Sequence, residues 1–220
     1  INFAEIFNLK KIKNIFNINL NIFIRTILLT FSFLWFTYLG TQIGEDYVAA
    51  NAILINLVFL SAFILDAYAF STEGIVGYSL GKKDLNLFKN IVKNSFILSS
   101  ISGLIISIIF FFTNNLVINL MSDIDEIRKL SSSYVVWLII LPVISSFCYQ
   151  FDGIFIGASQ TKELRNAMIF SVFSYLLISI LLIKFLFNTG IWISLCIFMI
   201  LRAISLFYYL DKIYLRFRKN

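Results

Sequence analysis

Six apolar runs dominate this chain, at 24–41, 48–80, 92–113, 131–158, 167–187 and 190–210, with polar or charged turns between them. A helix needs about 20 residues to cross the hydrocarbon core of a bilayer. A segment in lipid must also satisfy its own backbone hydrogen bonds, which a helix does. Only 14% of the residues are charged, against about 25% in soluble domains, and 60% are hydrophobic. The expected fold is an all-α polytopic membrane protein with six transmembrane helices, and the lipid bilayer is its first partner. The second and fourth runs exceed what a bilayer requires, which predicts tilt or bending. Pro142, Gly74 and Gly77 are the expected bend points.

The basic residues predict the orientation. Six spans put both termini on one side. Fifteen of the 18 Lys and Arg fall on the terminal segments or on the connections sharing their side; only Arg128, Lys129 and Lys184 fall on the other. Cytoplasmic loops are enriched in Lys and Arg, so both termini are expected in the cytoplasm. The net charge of +6 is therefore a topology signal, spread over every inner loop, and not a nucleic-acid patch. Arg202 and Lys184 lie inside runs by count and are expected to snorkel to the nearer surface.

Residues 1–23 differ from the rest. Phe3, Ile6, Leu9, Ile12, Phe16, Leu20 and Phe23 recur at helical spacing, with Lys10, Lys11 and Lys13 on other faces. This predicts a basic amphipathic helix on the cytoplasmic surface, with residues 211–220 as a basic tail at the other end. The chain opens on Ile1 and a Lys-rich stretch leads into the first run, which points to a fragment, a processed product or a cut.

Enzyme chemistry finds little support. There is no His, hence no His-ligated metal site or His-dependent triad, and no Gly-rich phosphate loop. No buried acid sits in a GxGD motif. Cys148 and Cys196 lie inside runs and read as packing residues. No cofactor is expected.

Three carboxylates stand out: Asp66, Glu73 and Asp152, each inside an apolar run. Ionisable groups at that depth are costly, about 2.5–3.5 kcal/mol on insertion scales, and usually face a bundle interior or a wet cavity. Asp66 and Glu73 are seven apart, which places them on nearly one helix face about 10 Å from each other. Ala62, Ala69 and Gly77 share or border that face and permit close helix approach. A carboxylate whose charge depends on access suits a cation-coupled transporter, with H⁺ or Na⁺ as the coupling ion. Tyr68, Tyr149, Gln150, Asn51 and Asn56 are candidate cavity-lining partners, and Asp152 a possible Na⁺ ligand. The alternative is that the acids only fix helix packing.

LDAYAFSTEGIVG at 65–77, FDGIFIGASQTKELRNAM at 151–168 and AANAILINL at 49–57 resemble the multidrug and toxic compound extrusion (MATE) transporters, most of all the DinF branch. The resemblance covers residues 20–210 and implies the second, six-helix lobe of a two-lobe, twelve-span fold, with 1–23 as the connector. The first lobe is then the missing partner, on this chain or another. The resemblance further implies cation-coupled antiport of amphipathic, often cationic drugs. Asp152 matches a carboxylate of the family's tenth helix linked to cation coupling. Asp66 and Glu73 match an acidic pair of the eighth helix in that branch. On this reading Asp152 is the main coupling carboxylate, and Glu73 and Asp66 line the cavity. A lipid-linked flippase relative would need basic residues in the cavity, whereas the buried charges read here as acidic. A non-transporting scaffold or accessory half-transporter is the other alternative.

Overall fold

The computed structural model describes residues 9–218, which are helical almost throughout. The helices are α1 (Leu9–Thr41), α2 (Glu45–Gly81), α3 (Leu85–Met121), α4 (Asp125–Ser133), α5 (Val135–Gly157) and α6 (Thr161–Arg218). Five are long and apolar enough to cross a membrane; α4 is a nine-residue helix in a connecting turn.

The longest helix is two spans. Phe187 leaves helical geometry (φ 48°, ψ −129°), and a Cβ on Gly190 would collide with the Leu182 carbonyl, so the chain doubles back there. The two limbs then pack side by side. Tyr175 and Phe198 lie 5.3 Å apart, and Lys212 pairs with Glu163 at 3.1 Å near the far end. With α1, α2, α3 and α5 this gives six membrane-crossing segments.

Two of the turns share one construction. At the end of α2 the Asp84 amide donates to the Ser79 carbonyl (3.1 Å) and the Lys83 amide to Leu80 (3.1 Å). At the end of α5 the Gln160 amide donates to Phe155 (2.9 Å) and that of Ser159 to Ile156 (2.8 Å). These are Schellman closures, which satisfy the last helical carbonyls through one residue in the left-handed region. Lys83 (φ 57°) and Ser159 (φ 53°) occupy it without glycine. Asp84 then accepts from the Leu87 amide (2.9 Å) and caps α3.

Several elements differ from the sequence expectation. α1 runs unbroken from Leu9, so residues 9–23 are continuous with the helix of the first apolar run. Phe3 and Ile6 of the expected leader, and Lys219 of the tail, lie outside the described residues. The run at 131–158 is divided at Tyr134 into α4 and α5. α2 is continuous through Gly74 and Gly77, and Gly77 serves packing: a Cβ there would sit 3.5 Å from the Gly157 carbonyl.

α2 and α5 form the tightest pair. A Cβ on Gly153 would strike the Ala69 backbone, and one on Gly157 the Glu73 backbone. The four-residue spacing of these glycines is the small-xxx-small pattern that lets membrane helices touch backbone to backbone. The same pairings fix the register of the two helices, residue n of α2 facing n + 84 of α5. Two apolar clusters flank this contact. One holds Leu54, Leu138 and Trp192; the other holds Phe88, Phe155 and Ile213. The charged residues of the bundle interior lie where the two clusters meet.

Candidate functional site

Asp152 sits in α5, 4% exposed, one residue before the glycine that touches α2. Its Oδ2 accepts from Nη2 of Arg202 at 2.7 Å and from Nη2 of Arg25. The three residues come from α5, α6 and α1, so one carboxylate oxygen ties three helices together. Arg202 is 1% exposed; its Nη1 lies 3.4 Å from the Met199 sulfur and its guanidinium 5.4 Å from the Phe198 ring.

The register that seats Gly153 on Ala69 brings Asp66 level with Gln150, two residues before Asp152. Asp66 is half-buried and lies within electrostatic reach of Asp152, Arg25 and Arg202. Its carboxylate has no ion-pair partner among the described residues. Tyr149 is buried and lies within electrostatic reach of Arg202, Asp66 and Asp152. Gln150 accepts from the Thr72 hydroxyl at 2.9 Å, a further tie between α5 and α2. Three buried donors, Arg25 Nε, Arg202 Nε and Gln150 Nε2, have no partner among the described residues.

Arg202 and Arg25 were not expected here. Arg202 does not snorkel; burial in the bundle is possible because Asp152 balances its charge. Arg25 stands in the middle of α1, where its guanidinium meets Asp152. The interior charge is therefore mixed, two guanidiniums against two carboxylates, and not purely acidic. One signal for Arg202 was available: it lies 12 residues into its run. Lys184, by contrast, is exposed three residues before the break at Phe187.

The other expected site residues are elsewhere. Glu73 is half-buried two turns beyond Asp66, its backbone against Gly157, and its carboxylate has no ion-pair partner among the described residues. Tyr68 lines a groove of about 280 Å³ between α2 and α3 with Thr72, Asn90 and Asn94. Asn51 and Asn56 line a pocket of about 100 Å³ between α1 and α2, near the opposite end of α2 from Glu73. Asn51 is part of a structural network. It exchanges hydrogen bonds with Asn188 (2.6 and 3.1 Å) and accepts from the Trp192 indole (2.9 Å), so it anchors the turn of α6 to α2.

At Asp152 both guanidiniums bind Oδ2, so a Na⁺ ion there would lie beside two positive charges. No group of three or more His, Cys, Asp and Glu side chains is placed to hold a metal among the described residues.

The MatE family model matches residues 22–185. DNA damage-inducible protein F of Escherichia coli (strain K12) is 32% identical over 189 residues, covering 86% of this chain and 41% of that protein. A solved MATE structure in the bent conformation superimposes with a TM-score of 0.81 at 20% identity, over 90% of this chain and 45% of the other. A MOP superfamily transporter from Pyrococcus furiosus, described as having a binding pocket of reverse polarity that suggests a different function, gives 0.80 at 20%, over 90% and 44%. At these identities the structural likeness shows the fold. The chain thus spans less than half the length of these relatives, which is one six-helix lobe.

Proposed function

As the chain belongs to the MatE family of membrane transporters, we propose that it is the C-terminal lobe of a secondary-active antiporter that exports amphipathic or cationic compounds in exchange for H⁺ or Na⁺. The observation that carries this reading is the charged cluster inside an apolar bundle. Arg25, Asp66, Asp152 and Arg202 come from four spans, and their charges sum to zero when both acids are ionised. A packing role alone needs one ion pair. A carboxylate without a hydrogen-bonded partner beside that pair is a group whose charge can change, and MatE-type transport needs such a switch. Asp66, Asp152 and Glu73 are the carboxylates assigned to cation coupling. Transport itself rests on rocking of this lobe against a complementary one. The setting is the bacterial inner membrane with both described ends of the lobe on the cytoplasmic side, as the basic loops favour.

The buried arginines raise the flippase alternative again, since guanidiniums bind phosphate. Here both are engaged by Asp152, and the cluster carries no excess positive charge when Asp66 is ionised. The cluster therefore offers no basic excess for an anionic phosphate cargo.

The test is reconstitution of the complete transporter in proteoliposomes, with an inward proton or Na⁺ gradient and a cationic amphipathic dye inside. Gradient-driven efflux that stops when the gradient is collapsed by an ionophore supports the reading. Absence of gradient-driven flux in the wild type overturns it in favour of a scaffold.

A further inference from the structure

A long groove runs down the bundle between α3 and the second limb of α6, with α5 behind it. Phe96 of α3, Phe147 and Phe151 of α5, and Ala203, Phe207 and Leu210 of α6 line a cavity of about 420 Å³, and every lining side chain is apolar. Its wall is built from rings in contact. Phe151 meets Phe96 at 4.8 Å and Phe207 at 6.3 Å between ring centres, and Phe96 meets Phe147 at 6.1 Å. Phe207 is 67% exposed, so the groove opens outward. No residue of α1 or α2, the helices that bring Arg25 and Asp66 to the charged cluster, lines it.

The groove has a polar mouth. Leu85 and Lys89 of α3 and Asp211, Tyr214 and Leu215 of α6 line a second cavity of about 540 Å³. Lys89 and Phe96 are seven apart on α3, as Ile204 and Asp211 are on α6. On each helix the charged residue and an apolar lining residue therefore share nearly one face, about 10 Å apart. The two cavities are two ends of one groove. Its apolar part covers most of one leaflet, which is about half of the roughly 30 Å hydrocarbon core. α3 begins at Leu85, so the charged cavity sits at the end of the bundle and the apolar one lies deeper.

Lys89 and Asp211 bring opposite charges to one cavity, yet neither has an ion-pair partner among the described residues. Lys212, the next residue, differs: it pairs with Glu163 at 3.1 Å. An occupant with an anion and a cation side by side, above a hydrocarbon chain, satisfies both charges and covers the rings.

We propose that this groove holds one phosphatidylethanolamine molecule, with its phosphate at Lys89, its ammonium at Asp211 and one acyl chain along Phe96, Phe151 and Phe207. Phosphatidylglycerol has the phosphate but would set no cation against Asp211. Phosphatidylcholine has both charges, but its quaternary ammonium carries no N–H for the carboxylate, whereas a primary ammonium carries three. The bound lipid joins α3 to the limb of α6 that carries Arg202, one residue before Ala203 in the groove.

The experiment counts the lipids retained by the complete, detergent-solubilised transporter in native mass spectrometry and follows its melting temperature. Phosphatidylethanolamine, phosphatidylcholine and phosphatidylglycerol are added in turn. Wild type should hold phosphatidylethanolamine about fivefold more tightly than either of the others, as one exposed charged contact allows. Lys89→Gln should weaken phosphatidylethanolamine and phosphatidylglycerol alike. Asp211→Asn should weaken phosphatidylethanolamine alone, to the level of phosphatidylcholine. Both side chains are exposed, so neither change threatens folding. Phosphatidylethanolamine should also raise the melting temperature of wild type more than that of Asp211→Asn, since a ligand of the folded state stabilises it. Equal retention of the three lipids, or a preference for phosphatidylglycerol, overturns the assignment. So does a phosphatidylethanolamine preference that survives Asp211→Asn, which would put the lipid elsewhere on the transporter. Retention of no lipid at all would mean that protein covers the groove, and overturns it as well.

Discussion

Arg202 donates to Oδ2 of Asp152 at 2.7 Å, although 50 residues and a full membrane crossing separate them in sequence. Arg25 reaches the same oxygen from 127 residues away. These bonds hold α1, α5 and α6 together at the level where the two apolar clusters meet. Arg202→Met should therefore destabilise the protein by about 1.5–3 kcal/mol, because Asp152 loses one charged partner and keeps the other. Combining it with Asp152→Asn should cost less than the sum of the two single changes. Thermal unfolding of the detergent-solubilised protein checks both, and additive losses would show that the pair is not coupled.

The glycines separate into two kinds. A side chain on Gly157 would meet the Glu73 backbone, whereas one on Gly74 would meet nothing within 4 Å. Gly157→Val should separate α2 from α5 and cost at least about 1–3 kcal/mol as overpacking. Gly74→Ala should be neutral or stabilising by about 0.5–1 kcal/mol, since alanine orders a helix more readily than glycine. Unfolding midpoints of the two variants moving in the same direction would contradict this packing.

Hydropathy along the chain was enough to show an all-helical membrane fold, because lipid imposes the same demand on every segment that enters it. The carboxylates were legible for the same reason: a charge in an apolar run stands out. Their partners were not. Arg25 lies at the edge of a run, and its central position in α1 became visible only once the helix was seen to begin at Leu9. Arg202 could be explained by snorkelling, because a one-dimensional pattern does not say whether a side chain faces lipid or protein. Asn51 stood in an apolar stretch and invited a ligand role. Its partner Asn188 belongs to the turn that folds α6 back on itself, a contact 137 residues away that no local spacing encodes.

That network predicts a specific loss. Asn51→Leu removes the acceptor of the Trp192 indole and both partners of Asn188, all of them buried. Each stranded polar group costs about 1–3 kcal/mol. The variant should unfold earlier. Its tryptophan emission should also change, because Trp192 is fully buried in the wild type. An unaltered melting temperature would mean that the turn of α6 is held by packing alone.

Orientation can be read with cysteines. Cys148 and Cys196 are both free and buried, so a membrane-impermeant maleimide should label the folded wild type hardly at all. Ser159 and Asp123 are exposed in turns at opposite ends of the bundle. If the excess of basic residues marks the cytoplasmic side, Ser159→Cys in sealed right-side-out vesicles should stay unlabelled until the membrane is opened. Asp123→Cys should be labelled at once. The reverse pattern would invert the lobe and with it the direction of the proposed ion flow. Labelling of both variants from outside would mean that the 159 turn is not separated from the 123 turn by a membrane at all.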